Sequence, residues 1–318
     1  MSNTSSGRSP AFFGIVFSIC AGFCWGTFGI ARGLGPAEAT SISFAGLRLV
    51  IAAAALVLWA WMSGAYRAAG PVKNWPFVST FFSGLAVGGF TYLYLEGMYR
   101  AGVSIGTPVG CASIPLFAML VEWVMYKKRP TLTQFLGLIV VVTGITLASY
   151  APDEQIEPGR RLSGVLFALA SSLAFVYYSM ALQVNTAKFP NLMVQANMFV
   201  VAAVMMFVWA LLRTDCSWML TPKGLGATLW SGLVSAVLGI WFYIKSMKVI
   251  PVSIATILSM AEPLVGAVLG IMILGESADS LKLTGLGILL FGIFVVGEAT
   301  RRRSLREGSL AVIPAAAA

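Results

Sequence analysis

Histidine is absent from the 318 residues of this sequence, and charged residues make up only 10% of it. Soluble domains contain about 25% charged residues, so most of this chain is not suited to contact with water. The sequence also lacks a nucleotide-binding run of the form Gly-x4-Gly-Lys-Ser/Thr. Without histidine, neither a metal site nor a nucleophile–base pair is visible. We therefore expect no metal and no cofactor; turnover of an added substrate would revive the alternative of an intramembrane enzyme.

Long apolar runs make up most of the chain. Hydrophobic residues are 58% of it, and the mean hydropathy is +0.86. About 20 apolar residues cross the hydrocarbon of a bilayer. Ten runs of suitable length predict an all-α, polytopic membrane protein with ten transmembrane helices. The runs are Phe12–Ile30, Ile42–Met62, Phe77–Leu95, Val103–Tyr126, Phe135–Tyr150, Leu162–Leu182, Met193–Leu212, Leu225–Ile244, Val252–Leu274 and Leu283–Val296.

The formal charge of +9 follows the predicted topology. With the N-terminus in the cytoplasm, thirteen lysines and arginines lie inside, seven lie outside, and Arg48 lies within a span. This bias favours cytoplasmic termini in a cell (inner) membrane, and the excess charge gives no reason to expect nucleic acid as a partner. The first run lacks a small-residue cleavage site and is interpreted as an uncleaved span. The outer residues are Arg32, Arg100, Arg160, Arg161, Arg213, Lys223 and Lys282.

Two halves of the chain repeat with an offset of 148 to 149 residues. Matching segments are Val103-Ser-Ile with Val252-Ser-Ile, Pro115-Leu with Pro263-Leu, and Gly137–Gly144 with Gly285–Gly292. Because each copy holds five spans, an odd number, the second copy must enter the membrane in the opposite sense. We predict inverted repeats at 1–150 (with an N-terminal tail, 1–10) and 162–300, a linker at 151–161, and a basic cytoplasmic tail at 301–318. Inverted repeats are the usual construction of secondary transporters.

The ninth run contains the dipeptide Glu262-Pro263 near its middle. Glu262 is about ten residues into the span, roughly 15 Å deep at 1.5 Å per residue. A carboxylate at that depth is costly and usually faces a cavity or a partner, and proline interrupts the helical hydrogen bonds. Glu262 is thus either a protonatable, solute-contacting carboxylate or a structural acid that caps the backbone freed by Pro263.

With these motifs the chain resembles the EamA family of the drug/metabolite transporter superfamily. The resemblance rests on Ser253, Glu262-Pro263, Gly275-Glu276 and the glycine-rich run to Gly292, with Pro36 and Arg48 in the first half. It implies transport of small organic solutes such as amino acids and other metabolites. The first copy departs from the pattern, because Ser113-Ile114-Pro115 lacks the glutamate and Lys128 stands where Glu276 does. Any role of Glu262 is therefore not duplicated.

Four other ionisable residues lie within or near the spans: Arg48, Glu96, Glu122 and Lys245. Glu96 and Lys245 occupy equivalent positions near opposite mouths, and they either contact a solute that carries both charges or extend to the membrane interface. We do not expect them to pair with each other. For Glu122, pairing with nearby basic residues is the simpler interpretation, and Arg48 suits packing or gating. We interpret the cysteines within spans as small buried side chains.

Aromatic residues lie on the same segments, and five of them form a predicted binding set with the charged residues. If they converge, stacking and cation–π contacts of about 0.5–2 kcal/mol each would suit aromatic or cationic solutes. The alternative for each is ordinary packing or an interfacial position. The predicted substrate-binding residues are Trp25, Tyr94, Glu96, Tyr177, Trp241, Tyr243, Lys245 and Glu262.

Together these features predict a secondary transporter that works by alternating access around a central cavity. The hairpins of spans three to four and eight to nine are its expected moving parts. Amino acids or related metabolites are the expected solutes, and protonation of Glu262 or Glu96 is the expected coupling step. An organic-cation or drug transporter is the main alternative. A channel is less well supported, because rings of like charge are absent from the sequence.

Overall fold

A computed structural model describes residues 10–127, 131–150, 156–250 and 252–306. The described residues form helices and connecting turns, and none of them is in a strand. The helices are α1 Pro10–Gly26, α2 Phe28–Gly33, α3 Ser41–Met62, α4 Ala65–Ala68, α5 Phe77–Ala101, α6 Val103–Tyr126, α7 Leu132–Tyr150, α8 Pro158–Thr186, α9 Asn191–Arg213, α10 Pro222–Leu229, α11 Gly239–Met247, α12 Val252–Ser259, α13 Ala261–Leu274 and α14 Ser280–Arg306. A π-helix, Trp230–Leu238, joins α10 to α11, and 3-10 turns lie at Val72–Asn74 and Ser217–Leu220.

The ten predicted membrane spans are confirmed as helical segments. In the described part of the chain, eight helical segments are long and apolar enough to cross a membrane, and two shorter apolar helices, Leu132–Ala148 and Ala261–Leu274, complete the set. The outward-facing surface carries large exposed apolar side chains, as a lipid-facing surface requires. Examples are Phe23, Trp61, Phe82, Leu212 and Phe291.

Helix ends follow local sequence signals. Thr40 and Ser43 form a capping box at the start of α3, in which each side chain accepts a hydrogen bond from the other residue's backbone N–H. Thr221 caps α10, whose first residue is Pro222. α8 begins at Pro158, so the end of the predicted linker is helical, and α14 continues through Arg306 into the predicted tail. Residues 151–155 and 307–318 and Lys128 lie outside the described residues.

Equivalent helices of the two copies make equivalent contacts. Gly14 of α1 packs against Val249 and Ile250 after α11, and Gly164 of α8 packs against Arg100 and Ala101 at the end of α5. Each of these residues lies 149 or 150 positions from its counterpart in the other contact. The packing of α1 on α11 is thus repeated by that of α8 on α5, as expected from an internal two-fold relation.

Contacts between α7 and α14 establish that the copies are inverted. The contacts run from Gly137 with Val296, through Gly144 with Leu289, to Ala148 with Gly285. Residue numbers rise on α7 as they fall on α14, so these two helices are antiparallel. Because α7 and α14 are the last helices of their copies, the copies cross the membrane in opposite senses. This confirms the predicted inversion.

Candidate functional site

The ninth span is broken at the point that the sequence predicts. α12 ends at Ser259, Met260 interrupts the helix, and Glu262 lies in the first turn of α13. A carboxylate in the first turn is stabilised by the partial positive charge of the helix N-terminus. α1 packs tightly against this break, since a methyl group at Gly22 would lie 2.5 Å from the Ser259 carbonyl oxygen. Glu262 therefore lies inside the bundle and not on its outer surface.

Tyr94 of α5 brings the first repeat to this carboxylate. Its side chain is 3% exposed, and its hydroxyl lies 3.3 Å from Glu262 Oε1, from the Thr107 carbonyl oxygen and from Cys111 Sγ. A tyrosine hydroxyl donates one proton, and an ionised carboxylate is the strongest of these acceptors. The contact therefore joins α5 and α6 of one copy to α13 of the other.

Arg48 of α3 supplies a positive charge beside the same site. It is 7% exposed, its Nε donates a 3.3 Å hydrogen bond to the Ser231 carbonyl oxygen, and its guanidinium carbon lies 4.0 Å from the centre of the Phe28 ring. Arg48 and Glu262 attract each other electrostatically, although no ion pair within 4 Å joins these two described side chains. The Phe28 ring in turn lies 6.0 Å from the Tyr94 ring. We call Arg48, Tyr94 and Glu262 the central cluster.

A cavity of about 180 Å³ lies between α6 and α8, and none of its lining residues belongs to the central cluster. Ile114, which lines it, is three residues beyond Cys111 on α6, a distance of about 4.5 Å along the helix axis. The other lining residues are Ala118, Val176, Ser179, Met180 and Gln183. Four of the six lining side chains are apolar, and those on α6 lie between Cys111 and the C-terminal end of that helix.

Trp25 and Tyr243, both predicted site residues, lie together on the other flank of α1. Their ring centres are 5.4 Å apart. Trp25 also packs directly on Gly239, since a methyl group at Gly239 would lie 2.4 Å from Trp25 Nε1. Both rings are half-buried. Trp25 and Tyr243 thus pack α1 against α11, beside the glycines of α1 that face Glu262.

Trp241 and Lys245 form a separate contact. Lys245 is exposed and its Nζ lies 5.5 Å from the Trp241 ring centre. Trp241 also lines a second, apolar cavity of about 380 Å³ between α3, the π-helix and α11, together with Trp59, Leu233, Val237 and Leu238. The contacts of these two side chains thus differ from those of the central cluster, and their role in solute binding stays a prediction.

Glu96 and Tyr177 complete the predicted set. Glu96 lies 2.6 Å from Arg100 Nε, one helical turn away on α5, so its charge is locally paired, and it does not pair with Lys245. Tyr177 is 50% exposed, whereas its neighbour Tyr178 stacks edge-on to Phe175 at 5.6 Å. The side chains of Glu122 and Ser253 lie outside the described residues.

Sequence reasoning missed three parts of the site. Cys111 was interpreted as a small buried side chain, yet its thiol contacts the Tyr94 hydroxyl. For Arg48, packing or gating stays a prediction, and its attraction to Glu262 is an addition to it. The nine-residue π-helix that presents the Ser231 carbonyl was not predicted; such segments are frequent at functional sites. The charge of Arg48 within an apolar run marks it in the sequence, but no local pattern indicates its attraction to Glu262.

Comparison with known proteins agrees with this architecture. The sequence profile of the EamA-like transporter family matches residues 12–150 and 162–297. YwfM of Bacillus subtilis (strain 168), an uncharacterized transporter, is 29% identical over 297 residues, which cover 92% of this chain and 97% of that protein. A solved crystal structure of a protein with no stated function has the same fold, with a TM-score of 0.64, 18% identity, and coverage of 91% of this chain and 98% of its own. This chain is therefore a multi-pass membrane protein that belongs to the EamA-like transporter family, within the drug/metabolite transporter superfamily.

Proposed function

We propose that this protein moves small organic solutes with both an amino and a carboxylate group, such as amino acids or related metabolites, by alternating access. The observation that carries the proposal is the central cluster, where Tyr94 donates to Glu262 across the interface of the two repeats. A solute bound there contacts both repeats at once. Its binding is then sensitive to how the repeats are placed relative to each other, which alternating access requires.

The charges of the cluster favour a zwitterion over an organic cation. Glu262 offers a carboxylate to an ammonium group, and Tyr94 and Phe28 offer ring surfaces to an apolar side chain. Arg48 offers a guanidinium that attracts a carboxylate and repels a cation. A solute without a negative charge would lose the second contact and meet that repulsion. Organic cations are accordingly the second class to test.

The cavity between α6 and α8 supports binding from the cytoplasmic side and hence export. It begins about one helical turn from Cys111 and extends along α6 towards the end that the charge bias assigns to the cytoplasm. This orientation, with both termini cytoplasmic and the protein in the inner membrane, is part of the proposal. In this orientation, we take the cavity as the cytoplasmic part of the solute route.

The two repeats are 1–150 and 162–300. The site would open alternately to each side of the membrane as the α5–α6 hairpin rocks against the α11–α13 hairpin. The close glycine contacts of α1 with the break after Ser259 permit such movement, because small residues allow helices to slide at short separation. Since the repeats are inverted, the same motion that closes one mouth opens the other.

The test is solute counterflow in liposomes that contain purified protein. We expect saturable, trans-accelerated uptake of at least one labelled zwitterionic amino acid, and weaker competition by choline and by a cationic dye. Glu262→Gln should reduce this counterflow strongly. The matched control is Glu298→Gln, since Glu298 pairs with Arg301 and Arg302 at the far end of α14. Linear, non-saturable flux would instead indicate a channel, and preference for choline would support the cation alternative.

A further inference from the structure

Glu276, directly after α13, connects the two repeats at the outer ends of α6 and α13. Its Oε1 accepts a 2.5 Å hydrogen bond from the backbone N–H of Val103, and its Oε2 accepts one of 2.9 Å from the backbone N–H of Ser104. The Ser104 hydroxyl also donates to Oε2. The first N–H groups of a helix have no acceptor within the helix. A single carboxylate from the second repeat thus accepts hydrogen bonds from these groups at the first turn of α6.

The chain around Glu276 is shaped for this contact. Gly275 ends α13 in the left-handed conformation, with φ of 69°, which glycine adopts without strain. This turn directs Glu276 back over the end of α13 towards α6, where Gly102, also at positive φ, allows its close approach. The amine of Lys282, which is 1% exposed, lies 3.9 Å from Oε2. The ion pair and the three hydrogen bonds act on the same carboxylate.

The inner side has no such acid at the equivalent place. Repeat symmetry pairs Glu276 with Lys128 and the start of α6 with the start of α12. Lysine carries only donors, so it cannot accept a hydrogen bond from a helix N-terminus. The sequence therefore supplies a carboxylate for this contact at the outer side and a lysine at the equivalent inner position.

We propose that Glu276 is a positioning residue for transport that holds the outer gate closed, and that its release from Val103 and Ser104 opens the central cluster to the outer side. This inference rests on the alternating access proposed above. The gate is the contact between the start of α6 and the end of α13. Loss of even one hydrogen bond to a charged group shifts such an equilibrium by roughly tenfold or more.

Cys111 provides a reporter, because it lies eight residues after Val103, about 12 Å below the gate along α6, and contacts Tyr94. A protein with Cys20→Ala, Cys24→Ala and Cys216→Ala retains this thiol alone. A second protein that retains only Cys216, in the loop between α9 and α10, identifies the membrane face that carries Glu276. A membrane-impermeant maleimide applied to that face then measures opening of the gate, without any solute.

Glu276→Gln should accelerate maleimide labelling of Cys111 by about tenfold, whereas Glu298→Gln should leave the rate unchanged. A second variant acts at the same contact without removing the acid. A methyl group at Gly270 would lie 2.9 Å from the Ser104 backbone nitrogen, so Gly270→Ala should force the gate apart. Its control is Gly287→Ala, since a methyl group there meets no atom within 4 Å.

The labelling and counterflow assays separate failure of the gate from failure of the proposed function. Faster labelling in both gate variants, with unchanged controls, supports the gate whether or not the tested solutes are transported. Unchanged labelling in both gate variants overturns it, even if counterflow is saturable. Acceleration by Glu298→Gln to the same extent also overturns it. If Glu276→Gln does not yield folded protein, Gly270→Ala decides the outcome.

Discussion

Removal of either charge of the Arg48–Glu262 pair should destabilise the protein, and removal of both should restore part of the loss. Arg48 is 7% exposed, so Glu262→Gln leaves a buried guanidinium whose other contacts are the Ser231 carbonyl and the Phe28 ring. No nitrogen–oxygen distance between these two described side chains is within 4 Å, so the roughly 3–5 kcal/mol that breaking a direct buried ion pair costs is an upper limit here. Glu262 is half-buried and does not touch Arg48, and we therefore use about 1 kcal/mol for the loss of their attraction.

At about 2–4 °C per kcal/mol, Glu262→Gln should lower the Tm by roughly 2–4 °C. Arg48→Met should lower it similarly, because it leaves the carboxylate without its positive neighbour. The loss in the double variant should be smaller than the sum of the two single losses by about 0.5–1 kcal/mol. Thermal unfolding of purified protein in detergent measures all three, with Glu298→Gln as the control because exposed ion pairs contribute little. Additive losses would refute the coupling of these charges.

Two further predictions concern proton coupling and packing. Glu262→Gln should abolish solute accumulation driven by a pH gradient while sparing exchange, and Glu96→Gln should have the smaller effect because Arg100 already pairs with Glu96; unchanged pH dependence in both variants would reject coupling through these acids. Gly144→Ala should reduce the yield of folded protein, since its methyl group would lie 2.4 Å from the α14 backbone, whereas Gly287→Ala, whose methyl group meets no atom within 4 Å, should behave as the parent in thermal unfolding.

Hydropathy and the internal repeat were enough to predict the spans and their inversion. Both depend on patterns that the bilayer imposes along the whole chain, such as the matching runs that end in Gly144 and Gly292. The break beside Glu262 could also be predicted, because proline removes a backbone donor whatever its surroundings. The continuous α6 is the contrast, since Pro108 and Pro115 lie inside it without ending it. Packing of neighbouring helices therefore decides whether a proline breaks a membrane helix.

The composition of the site depended on contacts between segments far apart in the chain. Tyr94 and Glu262 are 168 residues apart, and no local pattern shows that they meet. Trp241 and Tyr243 are both aromatic residues of α11, two positions apart. Trp241 lines the second, apolar cavity, whereas the Tyr243 ring lies against Trp25. Which side of a helix faces the centre is set by the small residues that allow close approach, and these are common throughout membrane helices.

The asymmetry between the repeats gives a direct way to alter solute preference. Ile114 is the counterpart of Glu262 in the first repeat, and its half-buried side chain lines the cavity between α6 and α8. A carboxylate at that position would lie in the cavity beside Ser179 and Gln183, and like Glu262 it should cost stability at that depth in the membrane. Ile114→Glu therefore adds a second negative charge along the solute route without disturbing Arg48.

With two acids and one arginine, the route should favour a net positive solute. We expect Ile114→Glu to improve competition by choline relative to a zwitterionic amino acid by about tenfold in counterflow, which corresponds to about 1.4 kcal/mol of added attraction at intermediate polarity. Ile114→Gln is the matched control, because glutamine has nearly the same size and shape as glutamate and is polar without the charge. An equal shift in both variants would mean that polarity, and not charge, sets the preference, and the zwitterion argument built on Arg48 would then fail.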